Sequence, residues 1–538
     1  MYMLTIQFKL IILWQAQDKL FYAFGFLSQR DGDCVKSQGI KVAINFRESI
    51  KKKDKVKKME YITGIDRQQS TLFPEVIDDY ISHENPVRFI EAFVEGLDLT
   101  AMGFNHSEIK QTGRPPYNPK DPLKLHIYGY LNRIRSSRNL EKETIRNIEV
   151  IWLLKRLSPD HKTISDFRRN NTESIGKVFK EFIQLCKKLE LFSAELIAVD
   201  STKFRASNTR DRIKDRKQLE KSIVHIEDSI TEYLKLLEEN DQKDESKNQP
   251  SITKEELQKK ISFLKRAKGK LQEAKVQMED NGDKSISLTD KDCRLVKNQV
   301  KIEPGYNVHT AVDSKHSMIV DYEVSQNAAD NDYLSIMAIA AKETLEVEKI
   351  NACADAGYFD SIDIKKCEDN KVRPYVPIPA QKVSKKINVP QPKYYHDKFK
   401  YDEQTDSYCC PEGNRLQFYY KTKKRGKTFR IYRTTACREC PVKNLCTSSP
   451  RGRYIDRWEH EHLIENLRER LLVEPQIIKR RKSIVEHPFG TMKKVWGYST
   501  LLLKGIEKVS TEIALMTLAY NIRRSFTIIG ISELIKAL

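Results

Sequence analysis

No run of about 20 apolar residues occurs in the 538-residue sequence, so no segment is long enough to cross a bilayer as a helix. The N-terminal stretch MYMLTIQFKLIILWQAQDKLFYAFGFL comes nearest. Lys9, Gln15, Gln17, Asp18 and Lys19 interrupt it, and no small-residue cleavage site follows a basic leader, so it reads as neither anchor nor signal. Acids are in short supply: 75 Asp and Glu face 95 Lys and Arg, a formal charge of +20. Such an excess points to a polyanionic partner, nucleic acid first, because Lys and Arg gain free energy by releasing counterions condensed on phosphates. A disulfide framework is also missing. Five of the ten cysteines lie between Cys409 and Cys446 and the rest are scattered, which fits a reducing cytoplasm and one local metal site.

The length predicts two or three domains. Residues 1–58 end in the basic run RESIKKKDKVKK before Met59 and read as a dispensable extension from an upstream start codon. Residues 59–190 carry apolar residues at helical spacing, with Ser158 as a cap and Thr163 as the start of a further helix. Arg133, Arg135 and Arg138 on these helices suit a DNA-binding module; the competing reading is an ordinary solvated helical face. Residues 191–538 begin with ELIAVDSTKFRA, an apolar strand ending in an acid. A charged helical hairpin is expected over 207–285, two strands around the turn DSKH, and another acid-ended strand in KINACADAGYFD. Residues 380–461 read as an irregular, Cys-rich insertion, and the chain ends in helices. That order is the signature of an α/β protein built on a mixed sheet.

Asp200 and Asp355 end two predicted strands, and Glu486 lies at the start of a predicted helix. Strand ends and the adjoining helix converge on one sheet edge, so the three can share a site. Clustered carboxylates in a basic protein need cations, and oxygen-only ligands favour Mg²⁺ or Mn²⁺. Two such ions would activate a nucleophile and stabilise the leaving oxygen of a phosphodiester. Lys493 follows Glu486 by seven residues, two helical turns, which places both on one face and gives the lysine a nearby phosphate. Lys482 and Lys494 flank this stretch as further DNA contacts. Cys437, Cys440 and Cys446 form a C-x₂-C-x₅-C pattern, with Cys410 or its competitor Cys409 as fourth member. Four thiolates suit a structural Zn²⁺ that staples the insertion; buried free thiols are the alternative.

VDSTKFRA, ADAGY and SIVEHPFGTMKK, in that order, resemble the three blocks of DDE-type insertion-sequence transposases of the 1182 group. NPKDPLKLHIYGYLNRIRSSRNLE is similar to the helical N-terminal domain of that family, and GYNVHTAVDSKHSMIV and CRECPVKNLC to its intervening blocks. The resemblance implies an RNase H-like core with Asp200, Asp355 and Glu486 as metal ligands. It also implies cleavage at the ends of a bacterial element and attack of the released 3′-hydroxyl on target DNA, by a homodimer in a synaptic complex. Lys493 matches the lysine of the Y-R-E-K signature. The tyrosine and arginine slots hold Lys479 and Lys482 instead, with Arg480 and Arg481 one position away, and Ser201 stands where a glycine is frequent. A catalytically inactive DNA-binding regulator or remnant of such an element is the alternative; three intact acids weigh against it.

Overall fold

The structure, a computed structural model, describes residues 76–107, 116–243, 253–298, 301–379 and 391–538. The expected extension 1–58, Met59, most of the polar loop inside the helical hairpin and the first residues of the insertion lie outside the described residues.

Among the described residues, six α-helices precede the sheet: α1 (Pro86–Glu95), α2 (Lys120–Leu131), α3 (Ser137–Arg146), α4 (Ile148–Leu153), α5 (His161–Asn170) and α6 (Thr172–Lys188). Asn85 caps α1 through the Val87 N–H, with Pro86 at the first helical position, where its missing donor costs nothing. The cap of α5 is Asp160, which accepts from the Thr163 N–H at 2.7 Å. Ser158 is therefore not the cap and Thr163 is the third helical residue; the carboxylate outcompetes the hydroxyl because it reaches the orphan amide as an anion.

The sheet follows. It contains β1 (Leu196–Arg205), β4 (Arg294–Asn298), β5 (Lys301–Asp313), β6 (Ile319–Ser325), β7 (Ile350–Cys353) and β8 (Val372–Tyr375). Long β5 pairs antiparallel with β1 along one edge and with β4 and β6 along the other, while β1, β7 and β8 run parallel. The expected mixed α/β sheet is present and is consistent with an RNase H-like core. Between β1 and β4, the short strands β2 (Ile213–Asp215) and β3 (Ser285–Ser287) pair at the base of a helical hairpin, α7 (Arg216–Lys243) and α8 (Lys254–Asp280). A capping box at Thr253 and Glu256 starts α8. The crossover to β7 is α9 (Tyr333–Leu345), and α10 (Ser361–Asp369) leads to β8.

The insertion is not irregular. Strands β9 (Lys400–Asp402), β10 (Ser407–Cys409), β11 (Arg415–Lys424), β12 (Lys427–Arg433) and β13 (Tyr454–Trp458) form a second antiparallel sheet, with the short helix α11 (Lys443–Cys446) at its side. Arg425 and Gly426, both at positive φ (49° and 76°), close the β11–β12 hairpin, the conformation a two-residue turn demands. Four more helices finish the chain: α12 (Glu461–Val473), α13 (Pro475–Phe489), α14 (Ile506–Ile529) and α15 (Ile531–Lys536). Buried α14 packs against α2, α6 and β6, so one hydrophobic core runs from Ile81 to Leu534. Among the described residues no helix is long and apolar enough to cross a membrane.

Candidate active site

Asp200 is the fifth residue of β1, two positions beyond the last β1 pairing with β7. The shorter β7 leaves a notch there, and the chain leaving it places Asp355 beside Asp200. Burial raises the Asp200 carboxyl above its ordinary value; the Arg481 guanidinium opposes this and the charge of Asp355 adds to it. Arg481 Nη1 donates to Asp200 Oδ2 at 3.0 Å, and the Ser201 N–H donates to Oδ1 at 2.8 Å. Asp355 caps a short 3₁₀ turn by accepting from the Gly357 N–H at 2.8 Å. A side chain at Gly357 would begin 2.9 Å from Asp355 Oδ1, so a larger residue there would push the Asp355 carboxylate aside.

Helix α13 lies across β1, β5 and β7. Pro475 starts it, so Glu486 falls in its last turn, not at a helix start. The Glu486 side chain is 64% exposed and pairs with Lys482 one turn earlier at 3.7 Å, a solvated contact. From Gly490 to Val495 the backbone becomes a π-helical turn, which breaks the two-turn alignment expected between Glu486 and Lys493. Lys493 is turned onto β1: its Nζ donates to Thr202 Oγ1 at 3.0 Å and to the Lys203 carbonyl at 2.8 Å. Burial, and then the charge of Lys203, lowers its pKa. The structure thus brings together Asp200, Asp355, Arg481 and Lys493 and leaves Glu486 on the exposed flank of the same helix. Among the described residues no three His, Cys, Asp or Glu side chains are drawn close enough to hold a metal ion.

Sequence reasoning missed Asp330. Its Oδ1 accepts from Ser201 Oγ at 2.6 Å, Asn307 Nδ2 at 2.8 Å and Lys203 Nζ at 3.3 Å. Burial opposes its ionisation, but the Ser201 and Asn307 hydrogen bonds hold it below its ordinary value. An atom placed on Gly357 would lie 3.8 Å from its free Oδ2, on the side of Asp355. Burial first, then the charges of Asp330, Asp200 and Asp355, raises the Tyr358 phenol. What marks Asp330 is cross-strand register, which the structure supplies and local sequence pattern does not: Ser201 opposes His309 and Lys203 opposes Asn307, four polar side chains on one face of a buried strand pair.

Of the expected DNA-contacting residues, Arg133, Arg138, Lys482 and Lys494 are exposed. Arg135 is not free for DNA. It donates to Glu512 Oε1 and to the Thr500 carbonyl, both at 3.0 Å, and its guanidinium lies 4.3 Å from the Tyr498 ring centroid. Fully buried Glu512 needs that cation, which explains why the side chain turns inward.

Cys410, Cys437, Cys440 and Cys446 line one small cavity with Tyr394 and Phe399. The Asn414 N–H donates to Cys410 Sγ at 3.3 Å, whereas Cys409 Sγ turns to the Cys410 carbonyl.

A model of the transposase DDE domain matches residues 409–526, and a model described as Transposase domain (DUF772) matches residues 75–170. The chain carries a transposase DDE domain. That domain implies an enzyme of the polynucleotidyl-transferase class, for which DNA is the expected partner and divalent metal ions are the general cofactors. The search of curated proteins returned no match. Among solved structures, a piggyBac transposase synaptic complex with hairpin DNA aligns over 84% of each chain at 9% identity, with a TM-score of only 0.22.

Proposed function

We propose that the chain is the transposase of a bacterial insertion sequence of the 1182 group, which binds the ends of its element and catalyses metal-dependent strand cleavage and strand transfer. The observation that supports this most is the juxtaposition of Asp200 and Asp355 at the sheet notch, with basic α13 laid over them. The donor set fits Mg²⁺ or Mn²⁺: Asp200 and Asp355 offer hard oxygens, and magnesium commonly takes one or two carboxylates and completes its shell with water and substrate phosphate. Arg481 on Asp200 marks where positive charge is needed. Glu486 is the third acid of this reading, reached by a shift of its exposed side chain. A bound divalent ion supplies an activated water and neutralises the leaving oxygen. Lys493, held on β1 two residues beyond Asp200, presents its remaining N–H to a phosphate oxygen, and Lys482 and Lys494 extend the cationic path along the duplex. Nicking at the boundary of a labelled element end, present with Mg²⁺ and absent with Ca²⁺, is the expected result. Binding without nicking under every metal would favour the inactive regulator.

The four-thiol cavity is proposed to become a structural Zn²⁺ site when a metal draws its thiols together, since as placed they are not close enough to share an ion; four thiolates with this sequence spacing suit tetrahedral zinc. The Asn414 N–H to Cys410 Sγ bond is the kind of outer contact that orients a ligating thiolate. Metal analysis of the purified chain is expected to find one zinc, lost in Cys440→Ser together with part of the thermal stability. A zinc-free wild-type chain of unchanged stability would leave four free thiols.

A further inference from the structure

The β11–β12 hairpin carries a surface that the active site does not use. From Arg415 to Arg433 the sequence holds eight Lys and Arg and no acid. The pairing register shifts between Phe418 and Tyr420, so Tyr419 is a bulged residue. A bulge disrupts strict alternation, and Phe418, Tyr419 and Tyr420 are all exposed, at 42%, 49% and 46%. The Tyr419 and Tyr420 rings meet edge to face, 5.2 Å between centroids. Arg433 lies 3.5 Å from the Tyr419 centroid, over one face of a ring that stays half exposed. Together with Lys424, Arg438 and Arg451 these side chains line one open groove. Among the hairpin's ion pairs, Lys421 with Glu459 at 3.5 Å and Lys424 with Asp456 at 3.7 Å are solvated on both sides and weak enough for a phosphate to displace, whereas Arg430 with Asp406 and Lys427 with Asp360 are part-buried and Arg415 reaches Asp402 at 4.0 Å.

We propose that this groove binds an unpaired DNA strand, with bases stacked on Tyr419 and Tyr420 and phosphates held by Arg433, Lys424 and Arg451. An unpaired strand fits better than a duplex because a duplex keeps its base faces stacked inside and offers an aromatic platform nothing to stack on. A strand with free bases offers a π-face to each ring and a phosphate to each cation. DNA as the strand rests on the transposase reading, in which cleavage at an element end frees single-stranded termini.

The test measures binding of a labelled oligothymidylate, and of a blunt duplex of equal length, to the full-length protein. Wild type is compared with Tyr419→Ala/Tyr420→Ala and with Arg433→Gln. Tyr419 and Tyr420 are exposed and Arg433 is half-buried at the groove, so the variants are expected to keep the wild-type circular dichroism spectrum. Loss of both tyrosines is expected to weaken single-strand binding about tenfold or more and leave duplex binding unchanged. Arg433→Gln is expected to lower the salt dependence of single-strand binding by about one phosphate contact. Equal single-strand affinity in wild type and the double variant overturns the groove, even where the wild type nicks element ends. Tyrosine-dependent strand binding by a wild type that does not nick supports the groove and rejects only the cleavage reading. A wild type that binds neither DNA overturns both.

Discussion

Asp200→Asn is expected to lower Mg²⁺-dependent nicking of an element end on the order of a thousandfold or more, with duplex binding unchanged or tighter. The geometry separates the two effects. Asp200 lies in the notch beside Asp355, and removing its charge removes an acid from a surface that meets phosphates. The amide oxygen still accepts from Arg481, so the pair is weakened and not abolished, and burial, which disfavours the ionised carboxyl, disfavours a neutral amide less. Unfolding is therefore not the expected cause of lost activity, and urea denaturation of the variant checks this. Glu486→Gln sharpens the result. Its exposed contact with Lys482 contributes at most about 1 kcal/mol, so any loss of nicking in that variant is chemical. Wild-type nicking by Glu486→Gln beside an inactive Asp200→Asn would move the third carboxylate to Asp330, whose Oδ2 is free on the Asp355 side.

The contrast among these acids shows what was legible in the sequence. Asp200 and Asp355 follow short apolar runs, and a buried strand that ends in an acid can be read one residue at a time. Neighbouring strands in a parallel pair deliver their ends to one edge, so the sequence alone places the two together. Glu486 was read in the wrong turn of its helix because the start depends on Pro475, eleven residues earlier. The π-turn from Gly490 has no distinguishing composition, so the phase shift it puts between Glu486 and Lys493 is not legible in the sequence. Asp330 was invisible for a different reason. It lies in the connection after β6 and gains meaning only from the β1–β5 register, which local pattern does not supply. The second sheet was read as irregular because the bulge at Tyr419 and the Lys-rich run after it obscure the alternation expected of β11.

Arg135 shows how charge alone misleads, and it carries the second large prediction. Arg135→Ala is expected to destabilise the fold by about 3–5 kcal/mol, measured by urea unfolding at neutral pH. Glu512 is fully buried and accepts from the backbone N–H of Leu502 at 2.9 Å and of Leu503 at 3.1 Å, besides Arg135. Without the guanidinium its charge keeps two amides and the more distant Arg168, and the ionised form becomes costly. Burial already raises Glu512, against the charges of Arg168 and Arg135, so the folded chain takes up this proton more readily than the unfolded chain. A group raised in the folded state contributes stability at low pH that is lost as pH rises through the folded value. Removing Arg135 raises it further, so the deficit of Arg135→Ala is expected to be smaller at mildly acidic pH than at pH 8 or so. Arg133→Ala and Arg138→Ala, at exposed positions, are expected to stay within about 0.5 kcal/mol of wild type and to reduce the salt dependence of duplex binding. An Arg135→Ala protein as stable as wild type but weaker on DNA would restore Arg135 to the interface and leave the buried carboxylate with Arg168 as its sufficient partner.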